Sequence, residues 1–278
     1  MIFEETVNLT DRLAIDELLY RGKRFRGSKE FIKIVNFITR FNHYSRFNTI
    51  LVYIQNQDVT FFGSASFWKK KFGRTVSEDA RPYIILAPKG PIVLVYDLFD
   101  TKGYLSPEDF LEKGLGRKLS AVNGIVDGRV YQRVLLETKK WGIKVSQEPF
   151  SYFKGGHVTT IFSGRLEIAL KKGLSESEAF CVLIHELAHL FLGHTGHKSI
   201  LNDETKSSIT LPQRILSKSA AELEAETVSY LICKKIGIEA QSAEYIAGYI
   251  KSENDLIQFS YEMVIKIADK IEKLFIKV

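Results

Sequence analysis

The pair of histidines at positions 185 and 189 is the strongest chemical signal in this sequence. Together with Glu186 they form the pattern H-E-x-x-H. Residues four apart lie on one face of a helix, so both imidazoles can bind one metal ion such as Zn²⁺. With 6 histidines in the chain, the pattern arises by chance about 0.01 times at this composition and length. It therefore predicts metal-assisted hydrolysis, with Glu186 as the general base that accepts a proton from the attacking water.

A third metal ligand is expected from an acidic helix further along the chain. Glu222 and Glu226 are four apart and share one helix face, whereas Glu224 points elsewhere. We assign Glu222 to the metal and Glu226 to a hydrogen bond with the second ring nitrogen of a ligand histidine. In the alternative assignment Ser219 and Glu222 form a capping box, and Glu226 is the ligand.

Three further histidines give weaker signals. The longer pattern H-E-x-x-H-x-x-G-x-x-H is excluded, because Leu192 and Thr195 occupy its glycine and histidine positions. His194 and His197 are therefore interpreted as loop or capping residues. His157 either lines a cleft beside a strand that pairs with an extended substrate or lies on the surface.

The elements that must position these residues are mainly helical. Ser175 and Glu178 predict a capping box at the start of a helix over 176–192, and Gly193 predicts its end. Apolar periodicity predicts further helices over roughly 129–141, 212–235, 243–251 and 255–276, with short strands between about 142 and 170. The predicted fold class is α+β: a small N-terminal α+β domain over 1–118, then a mainly helical domain with a short sheet over 119–278.

The first half of the chain is basic and aromatic. Residues 1–150 hold 24 Lys and Arg against 17 Asp and Glu, whereas residues 151–278 hold 15 against 16. Eleven aromatic residues fall between Phe31 and Phe72, interleaved with basic ones. Aromatic faces and cations together favour single-stranded nucleic acid as the partner, whereas Phe31, Phe37 and Phe47 are expected to fill a core. The candidate contacts are Tyr44, Arg46, Trp68, Lys69, Lys70, Lys71 and Arg74.

Composition excludes several other classes of protein. No apolar run reaches the roughly 18 residues that a membrane-spanning helix needs, and the acidic N-terminal segment does not fit a signal peptide. Two cysteines, Cys181 and Cys233, cannot form a disulfide framework and are interpreted as reduced core residues. We therefore expect a cytoplasmic protein without a membrane partner.

Two stretches of the chain resemble the ArdC family of antirestriction proteins of mobile elements. The first, Ser45–Pro88 followed by Tyr96–Gly103, is similar to that family's single-stranded-DNA-binding domain. The second, LIHELAHLFLGH with AELEAETVSYLICKKIGI and SAEYIAGYI, is similar to its zinc-peptidase domain. The resemblance implies an SprT-like or ImmA/IrrE-like, zincin-like metallopeptidase fold past about residue 120 and protection of incoming single-stranded DNA. It also implies Zn²⁺ held by His185, His189 and Glu222, with Glu186 as the base.

Three functions are consistent with these features. The first is a DNA-associated zinc endopeptidase with an unknown protein substrate. The second is a protein that coats single strands and has a structural or vestigial metal site. The third is an ImmA-like regulatory peptidase that cleaves a repressor and needs no nucleic acid. The intact Glu186 favours the first function over the second, because a structural metal needs no general base. The basic first half favours it over the third.

Overall fold

Helices and small sheets alternate along the chain, which is compatible with the predicted α+β class. The computed structural model describes residues 16, 27–41, 43–87, 90–110, 126–149, 156–160, 165–202, 207–238 and 246–275. The chain divides into two compact units. One comprises residues 36–123, and the other combines residues 1–35 with 124–278. The predicted boundary near residue 118 lies outside the described residues.

The N-terminal half contains short elements. Along the chain they are α1 (Ser28–Arg40), α2 (Arg46–Gln55), β1 (Phe62–Gly63), α3 (Ala65–Phe72), β2 (Thr75–Val76), β3 (Tyr83–Ala87), β4 (Gly90–Asp97), a 3₁₀ turn (Leu98–Asp100), β5 (Thr101–Lys102) and α4 (Pro107–Phe110). Strands β1, β4 and β3 form an antiparallel sheet in that order, and β2 pairs with β5. Strands β3 and β4 are consecutive along the chain and pair antiparallel.

Two amide side chains of α2 cover the outer edge of β3. Asn48 exchanges two 2.9 Å hydrogen bonds with the backbone N–H and C=O of Leu86. Gln55 does the same with Ile84, at 2.8 Å each. The two residues are seven apart on the helix, so their side chains reach alternate residues of the strand. They satisfy backbone groups that would otherwise be open to another strand.

The interleaved aromatic residues of this unit form its core. Phe37, Phe41, Tyr53, Phe61, Phe62 and Trp68 are all buried. Their rings lie within contact distance in tilted or edge-to-face pairs, such as Phe37 with Tyr53 at 4.9 Å and Phe61 with Trp68 at 5.5 Å. Aromatic burial of this kind gives a small unit most of its hydrophobic stabilisation. The aromatic part of the pattern is therefore explained by packing.

The other unit carries the H-E-x-x-H segment. After the first part of α1, its elements are α5 (Gly128–Lys140), β6 (Ile143–Glu148), β7 (Gly156–Thr160), β8 (Leu166–Lys171), α6 (Glu176–Leu192), β9 (Ser199–Asn202), β10 (Ser207–Thr210), α7 (Lys218–Lys235), α8 (Glu253–Gln258) and α9 (Tyr261–Glu272). The sheet order is β6–β8–β7, with β6 parallel and β7 antiparallel to β8, and β9 pairs with β10. Helix α6 packs on β7 and β8 and against α7 and α9.

Helices α6 and α7 pack against each other, and both bury apolar side chains. Leu183, Ile184 and Leu187 of α6 are fully buried, as are Leu223, Ala225, Val228 and Ile232 of α7. Cys181 and Cys233 meet in the same interface with their sulfur atoms 3.1 Å apart, and both are free thiols. Such packing fixes the separation of the two helices and hence of the polar side chains that they carry.

Capping residues set the ends of α6 as the sequence predicts. The Ser175 hydroxyl accepts the Glu178 N–H at 3.3 Å, and the Glu178 carboxylate accepts the Ser175 N–H at 2.8 Å. At the other end Gly193 has φ of 81°. A Cβ there would lie 2.2 Å from the Pro212 carbonyl oxygen, so both the backbone angle and the space require glycine.

Two predicted helix boundaries are wrong. Helix α7 begins at Lys218 rather than near residue 212, because Ser217 is its N-cap and accepts the Ala220 N–H at 3.1 Å. The helix predicted over 255–276 is two helices, because Ser260 caps a new helix and accepts the Met263 N–H at 3.0 Å. Among the described helices, none has the length and apolar character needed to span a membrane.

Candidate metal centre

Helices α6 and α7 bring three metal-binding side chains to one point. The Nε2 atoms of His185 and His189 lie 3.1 Å apart. The Glu222 Oε2 atom lies 3.5 Å from each of them. Both histidines project from α6 one turn apart, and Glu222 projects from the first half of α7. Within the described part of the chain, these three residues form a group that could hold a metal ion.

The geometry of this group fits a tetrahedral metal. In a tetrahedral site with metal–ligand bonds of about 2.0–2.1 Å, neighbouring donor atoms lie about 3.3–3.4 Å apart. The three observed separations of 3.1, 3.5 and 3.5 Å bracket that value. Two imidazole nitrogens and one carboxylate oxygen are also the donor types of catalytic zinc sites, which leave a fourth position open. The residues present therefore fit a zinc ion.

Electrostatics at this point favour positive charge. Burial lowers the pKa of His185, but the carboxylates of Glu222 and Glu226 outweigh burial and raise the pKa to about 10. Hydrogen bonding to His185 and His189 lowers the pKa of Glu222 strongly. The same negative electrostatic potential that holds a proton on the imidazole also attracts a divalent cation. When the cation binds, it replaces that proton.

The side chain of Glu186 is buried beside the cluster. Burial raises the pKa of its carboxyl group, and positive charge on His185 and His189 offsets part of that rise. A carboxylate with a raised pKa is a stronger base, which suits a group that accepts a proton from water.

Glu226 lies near His185 but outside hydrogen-bond range. Its Oε1 atom is 3.7 Å from the His185 Nδ1 atom, and it also accepts from the Tyr249 hydroxyl at 3.4 Å. Ser219 lies inside α7 and is not its N-cap, so the capping box of the alternative ligand assignment does not form. The geometry brings Glu222, rather than Glu226, to both histidines.

The sequence interpretation missed His194 and Glu224. The Nδ1 atom of His194 lies 3.1 Å from that of His189, and its Nε2 atom lies 3.0 Å from the Glu224 Oε2 atom. The glycine turn at the end of α6 produces the first contact. The His194 N–H bonds to the His189 carbonyl at 3.0 Å and the Gly193 N–H to the Leu190 carbonyl at 3.2 Å, which is a Schellman motif.

This turn is the signal that could have revealed His194. In a Schellman motif the second residue after the helix folds back on the residue five positions earlier. A histidine at each of these positions, around a glycine, therefore places two imidazoles in contact. Glu224 has no comparable local signal, because it meets His194 only through the packing of α6 on α7.

The carboxylate of Glu224 is fully buried and has three partners. It accepts from both terminal nitrogens of Arg214, with Nη2 at 2.8 Å from Oε1. It also accepts the backbone N–H of Ser260 at 2.7 Å, at the start of α9. A buried carboxylate with this number of donors is fixed in position.

Strand β7 lies directly against the motif helix. A Cβ at Gly156 would lie 2.8 Å from Val182 Cγ1 and 3.2 Å from Glu186 Cγ, so the strand backbone passes close to the Glu186 side chain. The neighbouring His157 is half-buried, and its positive charge would lower the pKa of Glu186 as a lesser influence than burial.

The residues proposed to contact DNA fall into two groups. Trp68, one of the candidate DNA contacts, is fully buried, and its indole N–H donates to the Tyr96 carbonyl at 3.0 Å. Arg74 is also buried and donates to Thr101 and Leu105 at 2.7–2.9 Å. Arg46 is buried and Tyr44 half-buried, whereas Lys69, Lys70 and Lys71 are exposed at the end of α3. The buried groups belong to the core of their unit, so only the lysines offer a fully exposed cationic face.

Comparison with known proteins gives one family match. The M78 peptidase family model, described as an IrrE N-terminal-like domain, matches residues 138–228. No curated protein and no solved structure matches the chain. The matched range runs from the end of α5 to the middle of α7 and includes His185, Glu186, His189 and Glu222. This part of the chain is therefore similar to metallopeptidase domains of the M78 type.

Proposed function

We propose that this chain is a zinc-dependent endopeptidase. The observation that carries the proposal is the set of three donor atoms from His185, His189 and Glu222, spaced for a tetrahedral metal beside the buried Glu186. The M78 peptidase match over the same residues supports it. A Zn²⁺ ion in this site would supply Lewis-acid polarisation of the scissile carbonyl and of the attacking water.

The side chains of this chain perform the remaining steps. Glu186 accepts a proton from the attacking water and later gives it to the leaving amine. Burial raises the pKa of its carboxyl group, and this makes the carboxylate a stronger base for the first of these steps. The apolar packing of α6 on α7 keeps the base and the three ligands in fixed relation. Strand β7 ends the sheet order β6–β8–β7 next to Glu186, where an extended peptide could add as a further strand.

A peptide library tests the peptidase proposal. The purified full chain is incubated with a proteome-derived peptide library, and new termini are identified by mass spectrometry. We expect cleavage that a chelator abolishes and added Zn²⁺ restores. Glu186→Gln should bind zinc as the wild type does but cleave about 10²–10⁴-fold more slowly, the usual contribution of a general base. Zinc-loaded wild type that cleaves no peptide, or Glu186→Gln that cleaves as fast, would overturn the assignment.

A second proposed activity is binding of single-stranded DNA by the unit of residues 36–123. Its support is the exposed run Lys69–Lys71 and a net positive sequence, with 12 Lys and Arg against 8 Asp and Glu. Together with the resemblance to the ArdC family, these features lead us to propose a role in protecting the incoming DNA of a mobile element. A regulatory peptidase that cleaves a repressor without DNA fits the M78 match equally well.

Salt-dependent binding separates these two roles. The full chain is titrated with a fluorescent single-stranded oligonucleotide at several salt concentrations. If the three lysines contact phosphates, changing Lys69, Lys70 and Lys71 together to Ala should weaken binding and reduce the log–log salt slope by about 0.7 for each lost contact. The matched control changes Lys139, Lys172 and Lys266, which are exposed lysines of the other unit. Equal effects of both triple variants, or no binding by the wild type, would favour the repressor-cleaving role.

A further inference from the structure

We infer that His194 and Glu224 are positioning residues of the metal centre: the buried Glu224 carboxylate fixes the His194 ring, and His194 in turn fixes the ring of the ligand His189. This inference rests on the proposed metallopeptidase function, because it assigns His189 to the metal. Neither residue contacts the group of donor atoms itself. Both act through His189.

The hydrogen-bond pattern determines which nitrogen carries each proton. His189 directs Nε2 towards the other two donor atoms, so in the metal-bound neutral ring Nδ1 carries the proton. That N–H donates to the His194 Nδ1 atom at 3.1 Å, which must then be unprotonated. His194 consequently carries its proton on Nε2 and donates it to the Glu224 Oε2 atom at 3.0 Å. In the hydrogen bonds that run from His189 through His194 to Glu224, each ring N–H therefore has an acceptor.

The surroundings hold this arrangement rigidly. The His194 side chain is 2% exposed and that of Glu224 is 0% exposed, so neither exchanges its partner for water readily. The Schellman turn at Gly193 ties the His194 backbone to His189. Arg214 and the Ser260 N–H fix the carboxylate of Glu224 from the other side. Buried networks with all members satisfied orient side chains strongly.

The other ligand histidine has weaker support. The His185 Nδ1 atom is 3.7 Å from the Glu226 Oε1 atom, beyond hydrogen-bond distance. The Glu226 side chain is also 13% exposed, against 0% for Glu224. Outer partners of ligand histidines change metal affinity about 10–100-fold when they are removed. Because His189 has the closer and more buried outer partner, we expect removal of His194 to lower metal affinity more than removal of Glu226 does.

Zinc affinity measured against a chromophoric chelator tests the inference on the full chain. His194→Phe keeps a planar ring of similar size but removes both hydrogen bonds, and we expect zinc affinity to fall about 10–100-fold. His194→Gln offers an amide oxygen to His189 and an amide N–H to Glu224, so it should recover most of the loss. His197→Phe is the matched control. His197 lies three residues further along the same loop, contacts Thr195 and should leave affinity unchanged.

Nitrogen-15 NMR of the zinc-loaded wild type provides a test that does not depend on the folding of a variant. We expect His189 protonated on Nδ1 and His194 protonated on Nε2. The opposite tautomer of His194, or a folded His194→Phe protein that binds zinc as tightly as the wild type, would overturn the inference. The proposed function fails separately, in wild-type protein that does not bind zinc or does not cleave peptides.

Discussion

At the residue scale, the two glutamates Glu222 and Glu226 make a direct test of the metal geometry possible. Only Glu222 lies within 3.5 Å of both histidine Nε2 atoms, whereas Glu226 lies 3.7 Å from the outer nitrogen of His185. Removing a ligand removes a metal–oxygen bond, but removing a neighbour of a ligand only loosens its ring. We therefore expect Glu222→Ala to lose more than about 100-fold in zinc affinity and Glu226→Ala less than about 10-fold.

Chelator competition on both variants in parallel checks this order, and circular dichroism controls for folding. A larger loss in Glu226→Ala than in Glu222→Ala would exchange the two roles. The variants serve as controls for each other, because they lie one turn apart on α7 and make the same change of side chain.

The sequence was sufficient to predict that His185, His189 and Glu222 come together, because their signal is local. A four-residue spacing on a helix places side chains on one face whatever the rest of the fold does. His194 carried a local signal too, in the glycine turn, but a hydrogen-bond partner on another helix was needed to give it a role. Glu224 could not be predicted, because no sequence rule relates it to a residue 30 positions away. Trp68 was a candidate DNA contact because aromatic and basic residues are interleaved around it, yet interleaving does not decide which side chains are buried.

At the element scale, the close approach of β7 to α6 predicts the effect of a small substitution. Gly156→Ala places a methyl group 2.8 Å from Val182 Cγ1, 3.1 Å from the Ala169 carbonyl oxygen and 3.2 Å from Glu186 Cγ. Because such overpacking displaces either the strand or the base, we expect a loss of about 1–3 kcal/mol in the free energy of unfolding. Peptide cleavage should fall while zinc affinity changes little, since the three atoms nearest to the new methyl group belong to Val182, Ala169 and Glu186 rather than to a proposed ligand.

Urea unfolding, cleavage and zinc affinity of Gly156→Ala are the measurements, with Thr159→Ala on the same strand as the control. Thr159 pairs with Glu167 of β8. A Gly156→Ala protein with wild-type stability and cleavage would show that β7 can move away from α6 at no cost.

Helix positions in this unit were largely predictable, but two of their starts were not. The capping box at Ser175 and the glycine at 193 are strong local signals, and both ends of α6 were confirmed. The segment before α7 contains Arg214, which binds Glu224 instead of extending the helix. The break before α9 has a similar cause, since the Ser260 N–H bonds to the same carboxylate. Each start therefore combines a serine N-cap with a contact to Glu224 just before or at the cap, and apolar periodicity reports neither.

At the scale of the whole molecule, one compact unit is built from two separate stretches of the chain, residues 1–35 and 124–278. Residues 27–35 belong to the unit of the metal centre, where Phe31 packs against Phe259 at 5.4 Å and Tyr261 at 6.2 Å. Apolar periodicity is typical of a helix such as α1, but it does not identify the surface that the helix covers. The net charge of +7 on residues 1–150 is therefore divided between the two units, and residues 36–123 hold +4 of it.

The outer edge of β3 is covered by side chains, whereas the outer edge of β7 is not bonded to a further strand among the described residues, and this difference bears on which substrates the site would accept. Asn48 and Gln55 occupy the backbone groups along β3, whereas among the described residues β7 has a strand neighbour on one side only. A polypeptide that joins β7 is held through its main chain, which all sequences share. Such a site would select substrates by whether a segment is locally unfolded, and not by the amino-acid sequence of that segment. Under the proposed peptidase function, proteins with flexible, solvent-accessible loops would be cut and well-folded proteins would not.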